Sequence, residues 1–474
     1  MMRALALALF GTLLGGATVA ATPTANAQVG VRARDYKTFL DQGSTARRAI
    51  IVANGWAKKA GFRIVDLDKR ASCRSFSPGD KLIFIWQRRT AMYVRVGKQS
   101  IAKGATYVGA HVDAPALRLT AAPFGKNKRG WAQLTSYRYG GIKQFHYHNR
   151  ALKLVGTVTR RDGSRVAIEL GPKQGFSFVV SPEVPWKPPE RKPGEPPKPL
   201  PARIKLIGAT SGKTPAASTK LIHDVLLKQF KVRPRDIASA EIYAVPSMPA
   251  RDVGLSRKMI GSHGQDDRSL SFAALRGLLE MKRTPNHTAA ALLVDREETG
   301  SRGRTGAKAP VFEHVVACLA RGEGKKKVDA IVQRSLSRSI ALSTDVKSAI
   351  NPNWPEVQEH KNAPRMGKGP TLVKFTGHGG KRNASDANPG LSRWVRTIAA
   401  RAKVPLQRSE TGKVDQGGGG TIAKFMARRG MNVIDVGVPL LSMHAPMEIV
   451  NKQDLSWCVD LFKAFYRAGP PKKR

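Results

Sequence analysis

The sequence predicts an α/β protein: a mixed sheet flanked by helices and interrupted by a β-rich insertion. Three observations carry this expectation. Beyond about residue 240, apolar strand-like runs alternate with helical stretches. Between about 120 and 182 the pattern changes to short alternating segments such as "LKLVGTVTRRDGSRVAIEL", with "RDGS" as a hairpin turn. A Pro-rich run, "PEVPWKPPERKPGEPPKPLPAR" (182–203), then reads as an exposed loop.

Taken in order, the chain opens with Arg3, an apolar stretch from Ala4 to Ala20 and the small-residue tetrad "TANA" (24–27). That is the grammar of an export signal cleaved near Ala27, which would place the mature chain in the periplasm or outside the cell. The absence of a cysteine at the cleavage point argues against a lipoprotein, and no later segment is apolar enough to span a bilayer. Within 28–60, "STARRAIIVANGWAKKAG" predicts a helix stopped by Gly61. "ATYVGAHVDAPALRL" (105–119) predicts a strand running into a loop. After the insertion, "EIYAVPS", "TAAALLV" and "MNVIDVGV" are strands. "DDRSLSFAALRGLLEMKR" is a helix with Leu270, Ala274, Leu275, Leu278 and Leu279 on its apolar stripe. "GGTIAKFMARRG" is a helix closed by Gly430. "DLSWCVDLFKAFYRA" is a last amphipathic helix, with Leu455, Val459, Phe462 and Tyr466 at helical spacing. The expected organisation is therefore 1–27 signal, 28–118 first part of the main domain, 119–241 inserted β-rich domain, and 242–470 second part of the main domain.

The chain has 474 residues, 81 Lys and Arg against 34 Asp and Glu, and a formal charge of +47. Such a field attracts anionic polymers and surfaces. The basic residues are spread along the whole length, with no basic helix interleaved with aromatics and no nucleic-acid motif, so no specific nucleic-acid partner is expected. Cys73, Cys318 and Cys458 have no metal-binding spacing. They read as small buried hydrophobes, with the option that one pair oxidises after export.

The informative polar residues cluster at strand ends. His111 and Asp113 follow one strand ("GAHVDAP"), Glu297 and Glu298 another ("DREETG"), Asp345 a third ("STDV") and His444 a fourth ("SMHAP"), while Asp266 and Asp267 precede a helix ("HGQDDRS"). In an α/β sheet such ends converge on one crevice. Imidazole and carboxylate ligands without thiolate suit zinc, or manganese or cobalt. Five such ligands are too many for one open zinc but suffice for two ions if one carboxylate bridges them. Of the two adjacent glutamates, one can ligate while its neighbour takes the proton from an attacking water.

At this point the sequence resembles the aspartyl aminopeptidase and vacuolar aminopeptidase I family of di-zinc exopeptidases, in its bacterial branch. The resemblance rests on "GAHVDAPALRL", "YGGIKQFHYHNRALKLVGTV", "GQDDRSLSFAALRGLL", "LLVDREETGSRGRTGA", "STDVKSAINPNWPEVQEHKNAPRMGKGPTLVKF" and "DQGGGGTIAKFMARRGMNVIDVGVPLLSMHAPMEIV", in the family's order. It implies a phosphorylase/hydrolase-like α/β catalytic domain with an inserted dimerisation domain, and a homo-oligomer built from dimers, often a tetrahedral dodecamer in this family. It implies that His111, Asp266 and Asp345 hold one zinc, that Asp266 bridges to a second held by Glu298 and His444, that Glu297 is the general base and that Asp113 orients His111. The implied function is an exported aminopeptidase that removes the N-terminal residue of peptides through a metal-bridged water. The family name implies an acidic N-terminal residue, a preference that bacterial-branch members need not share.

Three departures from the family accompany this reading. Trp186 ("VPW") stands where the family carries a His after a proline, Asn149 ("YHNR") replaces an acid, and the chain is strongly basic and expected to be exported, where the family is usually cytoplasmic or vacuolar. Two other functions stay open at this stage: a degenerate peptidase fold that binds anionic polymer, and an amidohydrolase acting on a non-peptide amide. Several features look like sites and are read otherwise. His146 and His148 would share one face of a strand without a third ligand. His263 lines the cleft. "GATSGKT" (208–214) is one residue short of a phosphate loop and lacks a clean strand-to-helix context. "DQGGGG" (415–420) is a tight turn or an anion-binding helix start, and Lys368 a surface lysine or a substrate contact.

Overall fold

The computed structural model describes residues 23–124, 130–181, 203–211, 214–374, 376–377, 385–410 and 419–471. Its main body is a nine-stranded mixed sheet in the order Arg63–Val65, Lys81–Trp86, Thr90–Arg95, Thr288–Val294, Ala105–His111, Ile340–Thr344, Asn432–Gly437, Thr371–Val373 and Gln407–Arg408. The four middle strands, Thr288–Val294 to Asn432–Gly437, are mutually parallel. Antiparallel neighbours flank them on both sides.

Both faces of this sheet are covered, and for that reason its strands read as unbroken apolar runs rather than alternating ones. In "TAAALLV", Ala289, Ala291 and Leu293 face a core that includes the helices Gln265–Leu279 and Lys452–Ala468. Ala290, Leu292 and Val294 face the opposite core under the helices Val311–Gly322 and Val328–Ser337. The helix Gln265–Leu279 is therefore buried on nearly every side, not only along the stripe its spacing predicts. Gly109, in the central strand, leaves only 2.9 Å between an added Cβ and Ile422 Cδ1, so the short helix Ala423–Ala427 and its preceding turn lie directly on the sheet there.

A separate six-stranded antiparallel sheet runs Arg165–Leu170, Leu152–Thr159, Ala240–Pro246, Ala116–Phe124, Trp131–Tyr139, Arg203–Thr210. The hairpin closed by "RDGS" forms as its alternation predicts: Thr157 pairs with Ala167, and Gly163 sits at φ +80°. The helix Pro215–Phe230 packs on one face of this sheet. Ala116, Tyr139, Val155, Tyr243 and Val245 form a small cluster on the other face.

Several local expectations are revised. The helix Ala46–Lys59 forms with Thr45 as its cap, but a second helix, Pro23–Gln42, precedes it, packing Ala33, Tyr36, Phe39 and Leu40 into the main core. Its anchor is Arg32, 1% exposed, which is paired with Asp460 at 2.8 Å and Glu280 at 2.5 Å. The "HYH" stretch is not a strand. Gln144–Tyr147 is a single 3-10 turn whose buried Tyr147 donates its hydroxyl to Pro115 O at 3.1 Å, leaving His146 exposed. "GATSGKT" does lie between a strand, Arg203–Thr210, and a helix capped by Thr214, although its spacing remains a residue short. Cys73 and Cys318 are joined as a disulfide, and Cys458 alone remains a buried free thiol. No helix among the described residues is long and apolar enough to cross a membrane.

Candidate metal centre

Parallel pairing brings the predicted residues together. The register sets Val294 beside His111 and Ser343 beside Gly109, so "DREE", "HVD" and "STD" leave the sheet at the same edge. His111 closes its strand, and Asp345 follows Thr344 with its N–H on Val436 O. Glu297 and Glu298 start a 3-10 turn, Glu297–Thr299, after Arg296 at φ +66°. A bulky side chain at a left-handed position is costly, and this turn is where the chain bends the two carboxylates back over the sheet edge.

Asp266 and His444 come from elsewhere. A third, five-stranded sheet contains Met259–Ser262, Glu448–Asn451 and Pro439–Leu441. Its strand Met259–Ser262 delivers Asp266 at the start of the helix Gln265–Leu279, and the turn before Glu448–Asn451 delivers His444.

Two ligand groups result, and they share one residue. His111, Asp266 and Asp345 place donor atoms within 4.8 Å of one another, and so do Asp266, Glu298 and His444. Asp266 Oδ1 lies 3.3 Å from His111 Nε2, and Oδ2 lies 3.2 Å from His444 Nε2. One carboxylate thus turns an oxygen toward each group. Glu298 Oε1 is 3.5 Å from His444 Nε2, buried, and without a hydrogen-bond partner. Glu297 belongs to neither group.

The electrostatics fit a cation site. Burial, reinforced by Asp345, Asp113 and Asp266 and opposed by His111, pushes Glu297 up to about 8. Burial and the charge of Asp266 push Glu298 well up, and burial first, then Asp266, raises Asp345 to about 6. Burial works against a charged His444, yet its hydrogen bond and attraction to Asp266 lift it to about 9. Carboxylates crowded this closely hold protons on themselves and on the imidazoles unless divalent ions replace those protons. An orphaned carboxylate oxygen and an N/O donor set point the same way.

Supporting residues hold this arrangement. His111 Nδ1 faces Asp113 through its backbone O at 3.1 Å and its carboxylate at 3.4 Å. The Asp113 carboxylate also accepts the N–H groups of Glu297 and Glu298 at 3.1 and 3.2 Å. Asp113 therefore orients the turn as well as the imidazole. His444 Nδ1 meets Gly141 O at 3.0 Å, which leaves Nε2 for the centre.

Sequence reasoning missed Glu448, 1% exposed, which accepts from Asp266 N at 3.1 Å and His444 N at 2.7 Å. Its place four residues after His444 was a usable signal. It also left Asp267 without a role. Asp267 is fully buried and accepts from His111 N at 3.4 Å. Asp295, by contrast, turns away from the centre to Arg89 and Thr305. His263 is neutral and occupied: burial lowers it to about 3, and its Nε2 meets Pro115 O at 2.8 Å.

Lys368 is exposed. Trp186 and most of "DQGGGG" lie outside the described residues. Asn149 sits at φ +54°, a left-handed position that asparagine tolerates well. A cavity of about 1170 Å³, lined by Asp66, Trp86, Arg165, Glu313 and the disulfide, contains none of the ligand-group residues.

The family described as aminopeptidase I zinc metalloprotease (M18) matches residues 39–176 and 198–466. The probable M18 family aminopeptidase 1 of Borreliella burgdorferi (strain ZS7) is 34% identical over 443 residues, which are 91% of this chain and 94% of that one. Among solved structures, the M18 aminopeptidase of Thermotoga maritima superposes with a TM-score of 0.86 at 30% identity, covering 93% of this chain and 97% of its own. Aminopeptidase I of Clostridium acetobutylicum superposes with a TM-score of 0.84 at 32% identity, covering 93% and 95%.

Proposed function

The chain belongs to the M18 family of zinc aminopeptidases and is a metallo-aminopeptidase; from that premise we propose that it releases the N-terminal residue of peptides at two divalent ions, both zinc, with Glu297 as general base. The observation that carries this reading is the shared carboxylate: Asp266 faces both ligand groups while Glu297, beside the ligand Glu298, is left free.

When bound, the two ions polarise the scissile carbonyl, activate water and hold the free α-amine. The chain's own residues do the rest. His111, Asp266 and Asp345 would hold one ion, and Asp266, Glu298 and His444 the other. Glu297 takes the proton from the attacking water and passes it to the leaving amine. Asp113 keeps Glu297 and Glu298 in place through their N–H groups.

The same reading includes export and assembly. The apolar segment ahead of "TANA" and the Cys73–Cys318 disulfide, a bond that persists in oxidising compartments, support a periplasmic or secreted enzyme. Trp131, 43% exposed on the inserted sheet, supports that sheet as a dimer surface. A charge of +47 favours peptides with acidic residues through steering that salt weakens.

The test is residue release from a panel of unblocked peptides and their N-acetylated forms, with and without chelator. Chelator-sensitive release from free N-termini alone is expected. Glu297→Gln should lower kcat by roughly 10²–10⁴-fold while the protein still binds its metal. Release from acetylated peptides, or full activity in Glu297→Gln, would sink the assignment.

A further inference from the structure

A chain of buried polar side chains runs from the inserted sheet to the turn carrying Glu297 and Glu298. Tyr139 ends the inserted strand Trp131–Tyr139, is 4% exposed, and donates its hydroxyl to Asp113 Oδ2 at 2.8 Å. That carboxylate is the acceptor for the N–H groups of Glu297 and Glu298. The Tyr139 ring is itself held edge-on by Tyr243 of the strand Ala240–Pro246, at 5.6 Å between centroids. Immediately after Tyr139, Gly140 sits at φ +69°, which side chains rarely adopt, and an added Cβ would press on Glu298 Cβ at 3.1 Å.

A second link reaches the other end of the turn. Glu241, on the same strand as Tyr243, accepts from Arg89 Nη1 at 3.0 Å. Arg89 Nε forms an ion pair with Asp295 at 2.8 Å, two residues ahead of Glu297. Asp295 also accepts from the Thr305 hydroxyl at 2.7 Å. The segment 295–305 is thus gripped at Asp295 and at Glu297–Glu298, and both grips lead back to the inserted sheet.

We propose that Tyr139 is a positioning residue for the hydrolysis, and that the inserted sheet, acting through Tyr139 and Glu241, sets the place of the general base. A buried carboxylate that accepts three hydrogen bonds from three directions cannot swing without breaking one of them. Removing the phenol oxygen frees Asp113 Oδ2 to tilt, and the two glutamate N–H groups follow it. The inserted domain then serves as one wall of the catalytic machinery, in addition to any part in assembly. This rests on Glu297 being the base.

The test is Tyr139→Phe in the full metal-loaded enzyme. Tyr137→Phe is the control, the same chemical change two residues earlier on the same face of the strand, at an exposed ring. Tyr139→Phe should lower kcat about tenfold with KM unchanged, the value of one hydrogen bond to a charged group. It should also speed backbone hydrogen exchange across 295–301 in both metal-free and loaded protein, while Tyr137→Phe behaves as wild type. Wild-type kcat and wild-type exchange in Tyr139→Phe would overturn the proposal. If Tyr139→Phe does not fold, Glu241→Gln decides by the same exchange readout, and unchanged exchange there overturns it. A wild-type enzyme without chelator-sensitive release would instead strike the base assignment, and the exchange comparison would still decide whether the sheet grips the turn.

Discussion

Replacing Cys73 and Cys318 together by alanine removes a crosslink between a loop near the sheet edge and the helix Val311–Gly322. The two cysteines are 245 residues apart in sequence. Closing a loop of that length removes roughly 18 cal/mol/K from the entropy of the unfolded chain, about 5.5 kcal/mol at 25 °C. A chain of this size unfolds with an entropy of roughly 1 kcal/mol/K, so the expected fall in Tm is about 5–6 °C. Alanine is the right replacement because both sites are buried in an apolar cluster with Val65 and Phe76, where a serine hydroxyl would add a cost of its own. The assay is thermal unfolding of oxidised wild type, reduced wild type and the double variant, followed by circular dichroism. Reduced wild type and the double variant should fall together. Alkylation of the denatured, unreduced wild type should label Cys458 alone. A double variant within about 1 °C of wild type, or three labelled cysteines, would refute the reasoning, and three labelled cysteines would also remove one support for export.

Two further outcomes follow from particular groups. Asp266→Asn should weaken both bound ions because that carboxylate faces both ligand groups, whereas Asp345→Asn and His444→Ala should each weaken one; metal content after dialysis reads this directly, and loss of a single ion in Asp266→Asn would contradict a bridge. Glu280 gives the acid limb of stability. Burial alone would raise its carboxyl, but the hydrogen bond and charge of Arg32, with Arg276 and Lys463, outweigh burial and hold it at about 2, against 4.5 when free. A depressed folded value means stability that is present above about 4.5 and lost as pH falls through about 2. Glu280→Gln should therefore lower Tm at neutral pH and flatten its fall between about pH 5 and 2, and an unaltered acid limb would show that the Arg32 cluster does not hold the first helix.

The ligand-bearing strand ends could be read because each is announced locally. "TAAALLV" and "SIAL" are almost wholly apolar, as strands buried on both faces must be, and the polar segments that follow them, "DREE" and "STD", leave at the sheet edge. His111, Glu297, Glu298 and Asp345 could therefore be placed from pattern alone. The helix Pro23–Gln42 escapes that reading although Ala33, Tyr36, Phe39 and Leu40 form a buried stripe, because charged and polar residues interleave that short stripe and its buried Arg32 pairs only with distant carboxylates. Glu448 had one local signal, its place four residues after His444, but its hold on Asp266 N, 182 residues away, had none.

Side-chain periodicity and local turn chemistry account for the central strands, for the helices Gln265–Leu279 and Lys452–Ala468, and for the carboxylates and imidazoles that stand at the strand ends. The tertiary structure alone decided that Asp266 would turn one oxygen to His111 and the other to His444, and that Asp113 would take a hydroxyl from Tyr139 of the inserted sheet. Those contacts join residues 26 to 178 positions apart. Their distances are set by strand register and by the burial of three sheets against one another, which no local pattern encodes.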